Sequence, residues 1–163
     1  MSRDTDAYDC IIIGGGPAGL TAATYLARFH RRALLVDAGQ SRAQLIPRAH
    51  NHPAFSAISG VGLLERLRMQ AIECGALVSN ETASDLEKCG AEFALKLTER
   101  IAVAPAVLIA TGLTDVRPKI AGLREAEAKA IVRYCPVCDA FEATDKRIAV
   151  IGTLADVCPR PSS

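Results

Sequence analysis

The segment Gly14-Gly15-Gly16-Pro17-Ala18-Gly19 constrains the fold of this chain more than any other. It follows Tyr-Asp-Cys-Ile-Ile-Ile at Tyr8 to Ile13, a short β-rich run of the kind covered on both faces. A helical pattern then runs to about His30, with Leu20, Ala23, Leu26 and Ala27 at helical spacing. Arg28, His30, Arg31 and Arg32 close it, where positive charge suits the helix dipole. Ala33 to Val36 reads as a second strand and ends at Asp37. Gly14 permits a tight turn out of the strand. Gly16 lets the backbone approach a pyrophosphate, and Gly19 lets the helix pack on the strands. The phosphates would rest on N–H groups at the helix start. Asp37, 18 residues after Gly19, is placed to accept hydrogen bonds from ribose hydroxyls. The order strand, glycines, helix, strand, acid points to a dinucleotide site, and the acid favours FAD or NAD over NADP.

The chain has 163 residues, enough for one ordinary domain but too few for two complete ones. Half of it is hydrophobic and 23% is charged, which supports a buried core. Trp is absent and Ala abundant, so small aliphatic residues build that core. With 19 basic and 18 acidic residues the formal charge is +1, and no excess suggests nucleic acid or an anionic membrane as partner. The longest apolar run, Ile101 to Ala110, holds a proline and falls well short of the ~20 residues a transmembrane helix needs. Met-Ser-Arg-Asp-Thr-Asp at the start has the wrong charge order for a signal peptide, so a cytoplasmic location is expected. Cys10, Cys74 and Cys89 are scattered and read as core or surface thiols.

Gln40 to Ser59 is expected to be a packed loop, because Leu45, Ile46, Phe55 and Ile58 are interleaved along it. His50 and His52 lack a nearby acidic or cysteine partner and read as surface or core residues. Gly60 to Cys74 predicts an amphipathic helix with Leu63, Leu64, Leu67 and Ile72 on its apolar side. Ala76 to Ser79, Thr82 to Glu87 and Ala91 to Thr98 predict short strands, with a hairpin at Lys88-Cys89-Gly90. Ala106 to Ile109 predicts a buried strand ending in Ala110-Thr111-Gly112, a small-residue turn suited to backbone contact with a cofactor. Thr114 to Arg124 reads as a linker, and Arg147 to Gly152 as a further strand opening a second nucleotide-binding unit.

Tyr134-Cys135-Pro136-Val137-Cys138-Asp139 carries a second kind of chemistry. Cysteines two residues apart can close a disulfide in a tight turn, and such a motif can depress one thiol's pKa. Zinc is the competing reading, but only Cys158 remains nearby and no histidine follows His52. Unreactive thiols are the third. Asp139 could shuttle a proton to a leaving thiolate.

Taken in order, these motifs resemble the small bacterial thioredoxin reductases and their FAD/NAD(P)-dependent oxidoreductase relatives. The matching pieces are Ile11 to Leu20, Asn51-His52-Pro53-Ala54-Phe55 with Ile58-Ser59-Gly60, Leu108 to Gly112, and Cys135 to Asp139. The resemblance implies an α/β fold. A Rossmann-like FAD-binding domain, with a parallel sheet, helices and a small antiparallel meander, would occupy residues 1–116. The incomplete start of an NAD(P)-binding domain would occupy 117–163. It implies electron flow from NADPH through FAD to the cysteine pair, then to a thioredoxin-like protein or a small disulfide. Cys138 would face the flavin, Cys135 would attack the substrate disulfide and Asp139 would be the acid–base group. Gly14, Gly15, Gly16, Pro17, Ala18, Gly19, Asp37, Asn51, Ala110, Thr111 and Gly112 would bind FAD. Full-length relatives would be homodimers, and no metal is implied. The family's chains are about twice this length, and nothing after Gly152 resembles it. The expectation is therefore a truncated or frameshifted product without NADPH turnover. The alternatives are an FAD-binding fragment or a dithiol oxidase-type relative.

Overall fold

The glycine turn connects a strand and a helix as its sequence predicts. In the computed structural model, which describes residues 5–135 and 141–152, β1 is Thr5–Ala7, β2 is Cys10–Ile13, α1 is Pro17–Arg28 and β3 is Ala33–Val36. α1 stops two residues before His30, which takes a positive φ of 56°. A short 3-10 turn, Arg42–Leu45, precedes α2 at Gly60–Glu73. Then come β4 (Leu77–Ser79), β5 (Asp85–Cys89), β6 (Glu92–Lys96), β7 (Ile101–Ala104) and β8 (Val107–Ile109). Two short helical turns, Leu123–Ala128 and Phe141–Ala143, follow.

The strands form two sheets. One is parallel, in the order β4-β3-β2-β8. The other runs β1-β7-β6-β5, antiparallel except that β1 lies parallel to β7. The expected single strand from Tyr8 is thus divided between sheets. Tyr8 donates its N–H to Val103 O at 2.9 Å, while Asp9 donates to Arg32 O at 2.9 Å. Adjacent amides serve different neighbours, so pairing breaks between them. Alternation in the apolar run 101–110 resolves the same way. Pro105 interrupts the ladder, so β7 joins the second sheet and β8 the first.

Burial follows from this arrangement. Ile12, Leu35 and Cys10 face α1 and α2 through Leu20, Ala23, Ala27 and Ala71. On the opposite face, Ile11, Leu34 and Val36 meet Leu95, Ala102 and Ala104 of the second sheet and Leu97 just after β6. The near-continuous apolar runs of β2 and β3 reflect a strand covered on both faces. Gly60 starts α2 against the loop before it, where an added Cβ would lie 1.7 Å from Ala43 O.

Leu45 and Ile72, expected to be packed, are exposed. β8 is an edge strand, so Leu108 and Ile109 are open to solvent at 40% and 68%. The hairpin turn falls at Gly90-Ala91, one residue later than expected, because Cys89 pairs with Glu92. Arg147 to Gly152 is not a strand, and Ile148, Val150 and Ile151 are exposed. A parallel strand needs a neighbour to complete its hydrogen bonds. Among the described residues of that region there is none. The chain divides into two compact units, Met1–Arg117 and Pro118–Ser163. No helix among the described residues is long and apolar enough to cross a membrane.

Candidate dinucleotide site

The carboxyl ends of β2, β3 and β8 lie side by side, with Ile13 in register with Val36 and Ile109. The loops leaving them therefore converge. β2 has its sequence successor β3 on one flank and β8 on the other, the switch point where open parallel sheets bind ligands. Backbone bonds hold the convergence: Gly14 donates to Val36 O at 2.9 Å, Ala110 to Ile13 O at 2.8 Å and Asp37 to Ser79 O at 2.9 Å.

The glycines fit this site closely. Gly14 has a φ of +115°, and an added Cβ would lie 2.4 Å from Ala110 O. At Gly19 it would lie 1.9 Å from Gly14 O, so the first turn of α1 rests on the backbone of the turn itself. At Gly15 it would meet Asp37 Cγ at 2.0 Å, which is why the acid can sit against the main chain. Gly16 differs: its nearest neighbour would be Ser41 Oγ at 3.4 Å. Gly16 is the N-cap of α1 with no side-chain cap, and Pro17 occupies the first turn. The helix start therefore keeps N–H donors for an anion.

Asp37 is half-buried. Its Oδ1 accepts from Gly39 N at 2.8 Å and its Oδ2 accepts from Arg68 Nη2. Arg68 of α2 also donates through Nη1 to Asn80 Oδ1 at 3.1 Å. Arg42 and Asp115 form an ion pair at 2.6 Å between the loops after β3 and β8. Arg68, Arg42 and Asp115 escape a reading of the sequence, because lone charges on a helix face or in loops carry no spacing signal.

Ala18 is exposed on the first turn of α1. Ala110 is half-buried, and Thr111 and Gly112 are exposed just beyond β8, Gly112 at a φ of +69°. Asn51 is exposed in a loop closed by the Ala49–Ile58 bridge. Beside it, His50 Nδ1 lies 3.0 Å from Ser56 O, and His52 accepts from Ala54 N at 3.3 Å and packs on Phe55. Among the described residues no cluster of three or more His, Cys, Asp or Glu could hold a metal. Cys10, Cys74 and Cys89 are free thiols, and burial pushes the Cys10 thiol up. Cys135 is half-buried and engaged in a disulfide. Cys138 and Asp139 lie outside the described residues.

Comparison with known proteins bears directly on this geometry. Residues 8–153 match the family described as pyridine nucleotide-disulphide oxidoreductase. The chain belongs to that family. It is 34% identical over 152 residues to the thioredoxin reductase of Treponema pallidum, covering 91% of this chain and 49% of that protein. It is 32% identical over 155 residues to that of Listeria monocytogenes, covering 93% and 48%. Among solved structures, thioredoxin reductase from Giardia duodenalis superposes with a TM-score of 0.79 at 32% identity, over 85% of this chain and 46% of that one. The chain spans about half the length of the curated relatives it matches. Its parallel sheet with the added antiparallel sheet matches the Rossmann-like FAD-binding fold of thioredoxin reductases.

Proposed function

We propose that this chain supplies the FAD-binding part of a disulfide reductase of the thioredoxin reductase type. Electrons would pass from NADPH through FAD to a Cys135–Cys138 disulfide, and then to a disulfide on a thioredoxin-like protein or a small molecule. The observation that carries this reading is the cradle itself. Gly14, Gly15 and Gly19 are each required by close protein packing, but Gly16 is not, since its nearest neighbour would be in ordinary contact. What Gly16 leaves room for is the pyrophosphate of a dinucleotide, beside an acid fixed where the ribose would lie.

Within this reading the chain's own residues have distinct tasks. Gly14 to Gly19 wrap the pyrophosphate, and the α1 amides neutralise part of its charge. Asp37 accepts from ribose hydroxyls. Asn51, Ala110, Thr111 and Gly112 border the flavin end. FAD, when bound, provides two-electron transfer between a nicotinamide and a disulfide. Reducing a disulfide takes two electrons and two protons. Asp139 would deliver a proton to the departing thiolate, and Cys135 would attack the substrate disulfide.

The test is direct. Protein mixed with FAD and then desalted is expected to keep the yellow flavin band, and Asp37→Ala is expected to lose most of it. A colourless wild-type protein that also fails to bind any adenine dinucleotide would overturn the assignment. For the cysteines, mass mapping after alkylation of oxidised protein should find Cys135 and Cys138 joined, with Cys10, Cys74 and Cys89 alkylated. Both pair members alkylated under oxidising conditions would count against a redox role.

A further inference from the structure

We infer that Arg68 is a positioning residue for dinucleotide binding: it holds the Asp37 carboxylate in place for the ribose. This rests on the reading of Asp37 above. The carboxylate is restrained on three sides. The Gly15 backbone leaves no room for even a Cβ between it and Asp37, the Gly39 amide holds Oδ1, and the Arg68 guanidinium holds Oδ2. Each carboxylate oxygen has a second lone pair, so both can still accept from a ribose hydroxyl. Arg68 is itself braced, because Nη1 donates to Asn80 just after β4. One guanidinium fork thus connects α2, the end of β3 and the end of β4. A lysine has one ammonium at the end of its chain and cannot reproduce that fork.

The pair also answers an electrostatic problem. A carboxylate beside an incoming pyrophosphate repels it. A cation on Asp37 Oδ2 offsets that repulsion without displacing the acid. The Asp37 and Arg68 side chains are 12% and 30% exposed, so water screens them only in part.

The experiment compares ADP with 2′,3′-dideoxy-ADP, because the two differ only in the ribose hydroxyls and need no flavin. Calorimetric titration of the full chain is expected to favour ADP by about tenfold or more, the low end for a hydrogen bond to a charged acceptor. Asp37→Asn should close most of that gap. Arg68→Met keeps the apolar stem and removes the fork. It should narrow the gap to about threefold or less, because ADP loses the ribose bonds as well as the charge offset while dideoxy-ADP loses only the charge offset. A merely structural role would weaken both ligands alike. Equal weakening, or an intact tenfold preference in Arg68→Met, would overturn the proposal while leaving the ribose role of Asp37 standing. Absence of any preference in the wild type would sink that role, and this proposal with it. Should Arg68→Met lose its native circular dichroism, Arg68→Lys carries the same comparison, and an undiminished preference there is equally decisive against.

Discussion

Two glycines of the turn, and Gly39 beyond β3, fail differently when given a methyl group. At Gly19 the new Cβ meets backbone, Gly14 O at 1.9 Å, which cannot step aside. Gly19→Ala is expected to destabilise the chain by about 1–3 kcal/mol or more, as overpacking does, measured by urea denaturation. At Gly15 the obstacle is the Asp37 side chain at 2.0 Å. Gly15→Ala should therefore leave more of the stability and lose more of the ADP affinity. At Gly39 an added Cβ would meet nothing within 4 Å, but φ is +71°, so Gly39→Ala tests backbone strain and should cost about 1 kcal/mol. Thiol reactivity separates residues in the same manner. Cys10 is buried with its thiol pushed up, while Cys89 is exposed. Iodoacetamide at mildly alkaline pH should modify Cys89 first and Cys10 only after denaturation.

Between elements, one ion network ties the two sheets. Glu81, just after β4, accepts from Arg100 Nη2 at 2.8 Å and from Ser79 Oγ. Arg100, before β7, also donates to Tyr8 OH at 3.1 Å, and Tyr8 stands between β1 and β2. These partners hold the Glu81 carboxyl below its ordinary value, and Glu81 raises the Arg100 guanidinium. A carboxylate with a depressed folded pKa adds stability above its unfolded value, and that stability is lost as pH falls through the folded value. Arg100 stays charged throughout that range. Glu81→Gln is expected to cost up to about 1 kcal/mol at neutral pH, because the pair is partly solvated. Its unfolding curve should converge with the wild type's below the ordinary glutamate value of about 4.3. A constant difference from pH 7 to pH 3 would remove the electrostatic account. α2 supplies a simpler case. Ser59 caps it by accepting from Gly62 N at 3.0 Å, and Ser59→Ala should cost about 1 kcal/mol in thermal or urea unfolding.

At the scale of the whole molecule, the two units differ in what they bury. Among the described residues, every buried side chain of the apolar core falls within residues 8–104. From Pro118 onward the described residues contain no buried hydrophobic side chain, and Ile131, Phe141, Ile148, Val150 and Ile151 are exposed. Regions with few buried apolar contacts open at low free-energy cost. Limited proteolysis is accordingly expected to cut beyond Arg117 first and leave a resistant amino-terminal piece. Early cleavage inside α1 or β3, with the later segment intact, would contradict this.

The β2–α1–β3 unit is legible along the chain, because the glycines, the apolar periods and Asp37 are local signals between Cys10 and Asp37. α2 is likewise legible, since its Ser59 cap and apolar spacing are also local. The exposed Ile109 and the split at Tyr8-Asp9 were decided by tertiary structure, since an edge strand and a central strand can carry the same apolar run. Tertiary structure also decided Arg147 to Gly152. Its apolar alternation suits a strand, but a strand exists only where a neighbour accepts its amides. The candidate site divides along the same line. Gly14 to Gly19 and Asp37 are written in order along the chain. Arg68 reaches Asp37 only because α2 packs across the sheet, a contact between residues 31 apart that no local pattern encodes.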